Sequence, residues 1–173
     1  MKNGSNTSDN AQGKGQKAED RLFDPEKYEK HKGTIAVLMG RHMLRHLLLL
    51  YNKFEGDLLL AVVLGEIGHH NVGNIYSQEG NCLKPRSDLP AGPERLKYLD
   101  PTNAFSISES TGIPRETVRR KISKLLERGW ITKGSRGEVA LTEMASDCFT
   151  KDFNKELLAE FLIASECIND LLK

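Results

Sequence analysis

The chain has 173 residues, of which 38% are hydrophobic and 28% charged, and its net charge at pH 7 is +1. These values are ordinary for a soluble globular protein and allow one domain with a real core. Three widely spaced cysteines without a CxxC pair, Cys82, Cys148 and Cys167, fit a reduced cytoplasmic protein better than a disulfide framework or a zinc site.

The N-terminal segment, residues 1–23, is expected to be a disordered tail. Up to Asp20 it is rich in Asn, Gly, Ser, Lys and Gln, and its aliphatic residues are only two alanines and Met1. It lacks the apolar core of a signal peptide, so secretion is not indicated. A disordered arm of this kind can also touch DNA phosphates, although its charge is modest.

Residues 24–77 are expected to form a helical core or dimerisation region. Asp24-Pro25 resembles a cap and first-turn pair, and an interruption is expected near Gly33-Thr34. The run from Thr34 to about Tyr51 has a helical composition. Asn52 to Gly56 then breaks it, and Asp57 can cap a second helix that continues to Tyr76.

The start of that second helix, Leu58 to Leu64, is apolar on all sides and must therefore be buried all round. A membrane span is the competing interpretation, but flanking charges leave no stretch of about 18 apolar residues. Burial inside the domain or between subunits remains, and the amount of leucine favours a subunit interface.

His42 and His46 stand four residues apart, and His69-His70 close the next helix. Such a pair can hold a metal, because positions i and i+4 share a helix face. Arg41 and Arg45 would oppose a cation there, however, and no Cys or carboxylate cluster completes the ligand set. Ordinary surface or interface histidines are the preferred interpretation, and no metal or cofactor is predicted.

Residues 78–101 contain four prolines and two glycines and are expected to be an irregular connection, with one helical turn at Pro93 to Tyr98. It would cover the helical core or contact a partner. Asn103 to Phe105 is expected to form a short strand that pairs with a later hairpin.

The segment 102–142 has the pattern of a winged helix-turn-helix. Ser106 and Glu109 form a capping box for a helix beginning near Ile107, Gly112 can end it in a left-handed conformation, and Pro114 suits the next first turn. A helix at 114–128 follows. Strands Trp130-Ile131-Thr132-Lys133 and Glu138-Val139-Ala140-Leu141 then flank a wing at 133–137 with a cationic tip.

The helix at 114–128 has two faces. Its buried face consists of Val118, Ile122, Leu125 and Leu126. Its other face consists of Glu116, Arg119, Arg120 and Ser123, with Arg115 at the entry. Guanidinium groups suit phosphates and guanine edges, and a carboxylate can accept from cytosine. Residues 104–136 carry a net charge of +5, as expected for a DNA footprint, whereas an isolated basic helix face is usually only a solvated surface.

Ser108 to Ile131 resembles the helix-turn-helix of bacterial regulators of the cyclic-AMP receptor and fumarate/nitrate regulator type. The residues that carry the resemblance are Pro114-Arg115-Glu116-Thr117-Val118-Arg119-Arg120, Lys124-Leu125-Leu126-Glu127 and Gly129-Trp130-Ile131. It implies base reading by Arg115, Glu116 and Arg120, and a phosphate contact by Thr117. No upstream stretch has the pattern of that family's cyclic-nucleotide-binding roll.

The full predicted interface therefore has two parts. The base-reading residues are Arg115, Glu116, Arg119 and Arg120. The phosphate contacts are Ser106, Thr117, Ser123, Lys124, Lys133, Ser135 and Arg136.

Residues 143–173 are expected to form a C-terminal helix for packing or dimerisation. Thr142 begins it, and an apolar stripe follows at Met144, Cys148, Phe153, Leu157, Phe161, Ala164, Ile168 and Leu171. Glu138 to Lys173 carries a net charge of −5, which keeps it away from DNA. The layout is similar to that of MarR-type regulators, and this similarity implies a homodimer on a palindromic site.

Together these features predict a mainly α-helical protein with a β-hairpin wing and flanking dimerisation helices. Its expected function is sequence-specific binding of double-stranded DNA as a bacterial, cytoplasmic, nucleoid-associated transcriptional regulator, without catalysis, cofactor or membrane partner. The alternative is a winged-helix protein-interaction module that does not read DNA. A metal-dependent enzyme is a third, weaker interpretation.

Overall fold

The computed structural model describes residues 22–79, 82–90 and 92–173, so the predicted tail lies almost entirely outside the described residues. The described part is mainly helical and carries two small antiparallel hairpins. It divides into two compact units: residues up to 41 with 162–173, and residues 42–161. No helix of the described residues combines the length and apolarity that crossing a bilayer requires.

The first helix, α1, is one uninterrupted element, Pro25–Lys53. Asp24 caps it as predicted, since its carboxylate accepts from the N–H of Glu26 at 2.8 Å. The predicted break at Gly33-Thr34 was wrong. A single interior glycine costs a helix only about 1 kcal/mol, which the good helix formers around it outweigh.

A tight turn, Phe54 to Asp57, joins α1 to the second helix, α2, Leu58–Asn71. Glu55 and Gly56 both have positive φ there, 54° and 84°. Asp57 caps α2 as predicted, accepting from the N–H of Leu60 at 3.1 Å. The helix ends five residues before the predicted Tyr76.

The sequence predicted that α2 is buried all round, either inside the domain or between subunits. Within one chain only part of its surface is buried. One of its faces, including Leu60, Val63, Leu64 and Ile67, lies in the core. Leu59 and Val62 on another face remain 45% and 47% exposed.

The predicted irregular connection contains regular structure. Strands β1, Tyr76–Glu79, and β2, Cys82–Pro85, form an antiparallel hairpin, and a 3-10 helix spans Gly92–Tyr98. The helical turn was expected, but the hairpin was not. All its strand residues are exposed, so it lacks the buried alternate positions that reveal a strand in sequence.

Helices α3, Ala104–Thr111, and α4, Arg115–Glu127, are followed by strands β3, Ile131–Lys133, and β4, Val139–Leu141. The two strands pair in antiparallel register, as predicted. The strand predicted at Asn103 to Phe105 is absent from this segment. Only Thr102 bridges to Val139, and Asn103 and Phe105 belong to the start of α3.

The core of residues 42–161 lies between α2, α3, α4 and the β3–β4 hairpin. Phe54, Ile107, Val118, Leu125 and Val139 are fully buried in it. Phe54 also contacts Trp130 edge to face, with ring centroids 5.5 Å apart. The turn before α2 is therefore anchored directly under the hairpin.

Asn71 joins three segments at the end of α2. Its buried side-chain amide donates to the carbonyl of Asp100 at 2.7 Å and accepts from the N–H of Leu141 at 2.8 Å. The N–H of Asp100 in turn donates to the carbonyl of Asn71 at 3.0 Å. These bonds fix the end of the 3-10 segment against β4.

The C-terminal region was predicted as one helix but has three parts. Thr142 caps α5, Glu143–Cys148, as expected. A π-helical turn, Phe149–Phe153, then leads into α6, Asn154–Leu172. The wider turn changes the phase of the helix, and Met144 and Phe161 of the predicted stripe are exposed.

Candidate nucleic-acid interface

The turn between α3 and α4 is fixed by local hydrogen bonds. Gly112 ends α3 with φ of 69°, as its sequence position predicted. The hydroxyl of Ser108 donates to the carbonyl of Ile113 at 2.8 Å, and that of Thr111 accepts from the N–H of Ile113 at 3.2 Å. The angle at which α4 leaves α3 is therefore held by side chains as well as by packing.

The cap of α3 differs from the prediction. Asn103, not Ser106, is the N-cap, and its side-chain oxygen accepts from the N–H groups of Phe105 and Ser106 at 2.9 and 3.1 Å. Asn is as favourable as Ser at this position, and choosing it starts the helix three residues earlier. The capping box of Ser106 and Glu109 does not form.

Helix α4 presents the two faces that its sequence predicted. Val118, Ile122 and Leu125 are buried, while Leu126 is half-buried. All four predicted base-reading residues are exposed: Arg115, Glu116, Arg119 and Arg120.

Two of the exposed arginines have partners on α4 itself. A guanidinium nitrogen of Arg119 lies 3.6 Å from a carboxylate oxygen of Glu116. The guanidinium of Arg120 donates to the hydroxyl of Thr117 at 3.3 Å. These weak surface contacts restrict the side chains without burying their charges.

A groove of about 760 Å³ runs between the start of α3, the flank of α4 and the β3–β4 hairpin. Four cationic side chains line it: Arg115, Arg119, Lys133 and Arg136. Ser123, another predicted phosphate contact, lines the same groove. Glu138 is its acidic member, and its carboxylate accepts from the backbone N–H of Arg136 at 2.9 Å.

The other predicted phosphate contacts lie elsewhere. Ser106 is half-buried in α3 and does not line the groove. Ser135 is exposed at the hairpin tip. Thr117 and Lys124 belong to α4 but do not line the groove.

Lys124 belongs to an ionic cluster centred on Asp57. Its ammonium lies 3.2 Å from one carboxylate oxygen of Asp57, while that of Lys121 lies 2.6 and 2.8 Å from the two oxygens. Burial alone would raise the pKa of Asp57, but hydrogen bonds from both lysines and from the N–H of Leu60 hold it below its usual value. The turn before α2 therefore clamps α4.

A second ion pair reinforces this clamp at the end of α4. The guanidinium of Arg128 lies 2.8 Å from a carboxylate oxygen of Glu55 and 5.3 Å from the ring centroid of Trp130. Neither Asp57 nor Glu55 could be assigned to α4 from sequence, because more than 60 residues separate the partners. The local sequence indicated only that Asp57 caps α2.

The histidines do not complete a metal site within residues 22–79, 82–90 and 92–173. No group of three or more His, Cys, Asp or Glu side chains is placed there to hold an ion. The rings of His42 and His46 lie 6.4 Å apart, centroid to centroid.

Comparisons with protein-family models, with curated proteins and with solved structures give no match.

Proposed function

We propose that this chain is a sequence-specific, double-stranded DNA-binding transcriptional regulator of the winged helix-turn-helix class. The groove that joins α4 to the hairpin is the observation that carries the proposal. Its four cations come from two separate elements, α4 and the hairpin that follows it, and they lie beside an exposed helix face that is polar along its length. If the exposed face of α4 were only a solvated surface, there would be no reason for the hairpin to place cations on the same side.

In this proposal α4 enters the major groove, which is wide enough to admit a helix. Arg115, Glu116, Arg119 and Arg120 then face base edges. The hairpin follows the adjacent sugar-phosphate backbone, where Lys133 and Arg136 neutralise phosphates. Ser123 can donate to a phosphate from inside the groove.

A homodimer is part of the proposal. Large apolar side chains are exposed along α1 and α6 of residues 42–161: Met43, Leu44, Leu47, Leu48, Tyr51, Leu158 and Phe161. Exposed apolar surface of this extent is typical of a protein contact. Covering it with a second copy would present two α4 helices to a palindromic site.

The test is selection of bound duplexes from random DNA, followed by titration of a labelled selected duplex at low salt. We expect a palindromic preference, a mass of two chains in solution, and weaker binding by Arg119→Ala. Lys97→Ala is the matched control, because this exposed cation pairs with Glu94 outside the groove. A folded protein that binds no duplex at low salt would favour the alternative, a winged-helix protein-interaction module.

A further inference from the structure

Phe105 is an aromatic residue that the predicted interface did not include. It is the second residue of α3, it is 54% exposed, and it lines the same groove as the four cations. Its backbone N–H is held by the Asn103 cap at 2.9 Å. The ring is thus carried by a fixed helix start in a groove that is also lined by four cations.

The ring of Phe105 faces a predicted base-reading residue. The guanidinium carbon of Arg115 lies 5.7 Å from the ring centroid, within the range of a cation–π contact. Among the residues that the structure describes, the Arg115 guanidinium has no hydrogen bond and no ion pair. It differs in this from Arg119, Arg120 and Arg128, which all have polar partners on the protein.

The kind of contact that Arg115 makes on the protein decides whether its N–H groups remain available to a guanine. A carboxylate partner would occupy the N–H groups that a guanine O6 and N7 require, and it would have to be displaced on binding. An aromatic face attracts the cation through its quadrupole and leaves the five N–H donors unused. The ring therefore limits the positions of the guanidinium without competing with DNA.

We propose that Phe105 is a specificity-determining residue that positions Arg115 for one base pair of the site. This inference rests on the proposed DNA-binding function. Phe105 acts through Arg115, so it influences which base is preferred and neutralises no phosphate itself.

The experiment compares Phe105→Leu with Phe105→Tyr on a selected duplex and its single-base variants. Leu keeps apolar bulk and helix propensity but removes the ring, whereas Tyr restores an aromatic face. We expect Phe105→Leu to lose about two- to fivefold discrimination, the worth of an exposed cation–π contact. The loss should fall at the base pair at which Arg115→Ala loses discrimination, and Tyr should restore it.

Two further readouts separate positioning from a general structural role. The Arg115→Ala, Phe105→Leu double variant should lose no more discrimination than Arg115→Ala alone. The salt slope of Phe105→Leu should equal that of the wild type, because no phosphate contact is lost. Tyr98→Leu, which removes an exposed ring outside the groove, is the control and should leave base preference unchanged.

Unchanged base preference in Phe105→Leu would overturn the inference while leaving DNA binding intact. Loss at a different base pair would overturn it too, since the ring would then touch DNA itself. If the wild type binds no duplex, the proposed function fails and this inference fails with it. The ring contact has its own test in the free protein, where Phe105→Leu should remove an upfield ring-current shift of the Arg115 side-chain protons.

Discussion

The carboxylate of Asp57 and the ammonium of Lys121 lie 2.6 Å apart, although 64 residues separate them in the chain. Both side chains are largely removed from solvent. The same carboxylate caps α2, so one residue ends the turn after α1 and holds α4 in place.

Asp57→Asn separates these two roles. Asn still accepts at the N-cap, but it removes the charge that Lys121 and Lys124 require. We expect a loss of about 1–3 kcal/mol in the free energy of unfolding, measured by urea denaturation, because Lys121 is left partly buried without its counter-charge. Asp88→Asn is the control, since that exposed carboxylate pairs with Arg86 at the surface, and it should not change the urea midpoint.

The same variant should change the pH dependence of stability. Because the pKa of Asp57 is lowered on folding, its ionised form contributes stability above the ordinary Asp value of 3.8. That contribution is lost as the pH falls through the lower, folded pKa. The stability difference between wild type and Asp57→Asn should therefore be constant from pH 6 to 8 and shrink below about pH 4. A difference that grows on acidification would contradict the ion pair.

Arg120→Ala tests base reading by an exposed residue of α4 that does not line the groove. We expect a loss of about 1–3 kcal/mol in discrimination at one base pair, the worth of a bidentate contact with guanine. The measurement is competition between selected duplexes that differ at single positions. Arg86→Ala removes a guanidinium from the β2 end instead and should leave the preferences intact. If Arg120→Ala and the wild type have the same base preferences at all positions, Arg120 is not a base-reading residue.

Arg136→Ala tests the hairpin tip. This arginine lines the groove beside Lys133, and its backbone N–H is already bonded to Glu138. We expect weaker binding to all sequences and a salt slope reduced by about one unit, as for one lost phosphate contact. Lys97→Ala should leave the slope unchanged. A normal slope with altered base preference would place Arg136 on a base edge instead.

Gly112 and Gly33 form a matched pair of substitutions to alanine. An added Cβ meets nothing within 4 Å at either position, so only backbone conformation differs. Gly112→Ala should destabilise by about 1–2 kcal/mol because its φ is 69°. Gly33→Ala, inside α1, should stabilise by about 0.5–1 kcal/mol. Thermal unfolding of the two variants measures both stability changes. Equal shifts of the two midpoints would argue against a left-handed residue at the end of α3.

Local patterns predicted the parts of the fold that depend on neighbouring residues. Gly112, the buried stripe of α4 and the glycine-rich hairpin occur where their sequence places them. Local reasoning failed where two residues competed for one role, as Asn103 and Ser106 did for the cap of α3. It also failed where good helix formers outweighed a single glycine, as at Gly33.

The candidate site was predicted less completely than the fold. Exposure of Arg115, Glu116, Arg119 and Arg120 follows from helical periodicity, and the structure agrees. Periodicity does not show what each side chain contacts. The position of Phe105 under Arg115 and the engagement of Lys124 by Asp57 depend on tertiary packing between separate helices.

The paired hydrogen bonds between Asn71 and Asp100 have a consequence for how this chain can vary. They bring the two ends of the intervening segment 72–99 together, and the strand residues of its β1–β2 hairpin are all exposed. Insertions or deletions at the tip of such a loop cost little closure entropy and do not strain its base. The hairpin can therefore lengthen, shorten or be exchanged while α2, α4 and β4 keep their positions.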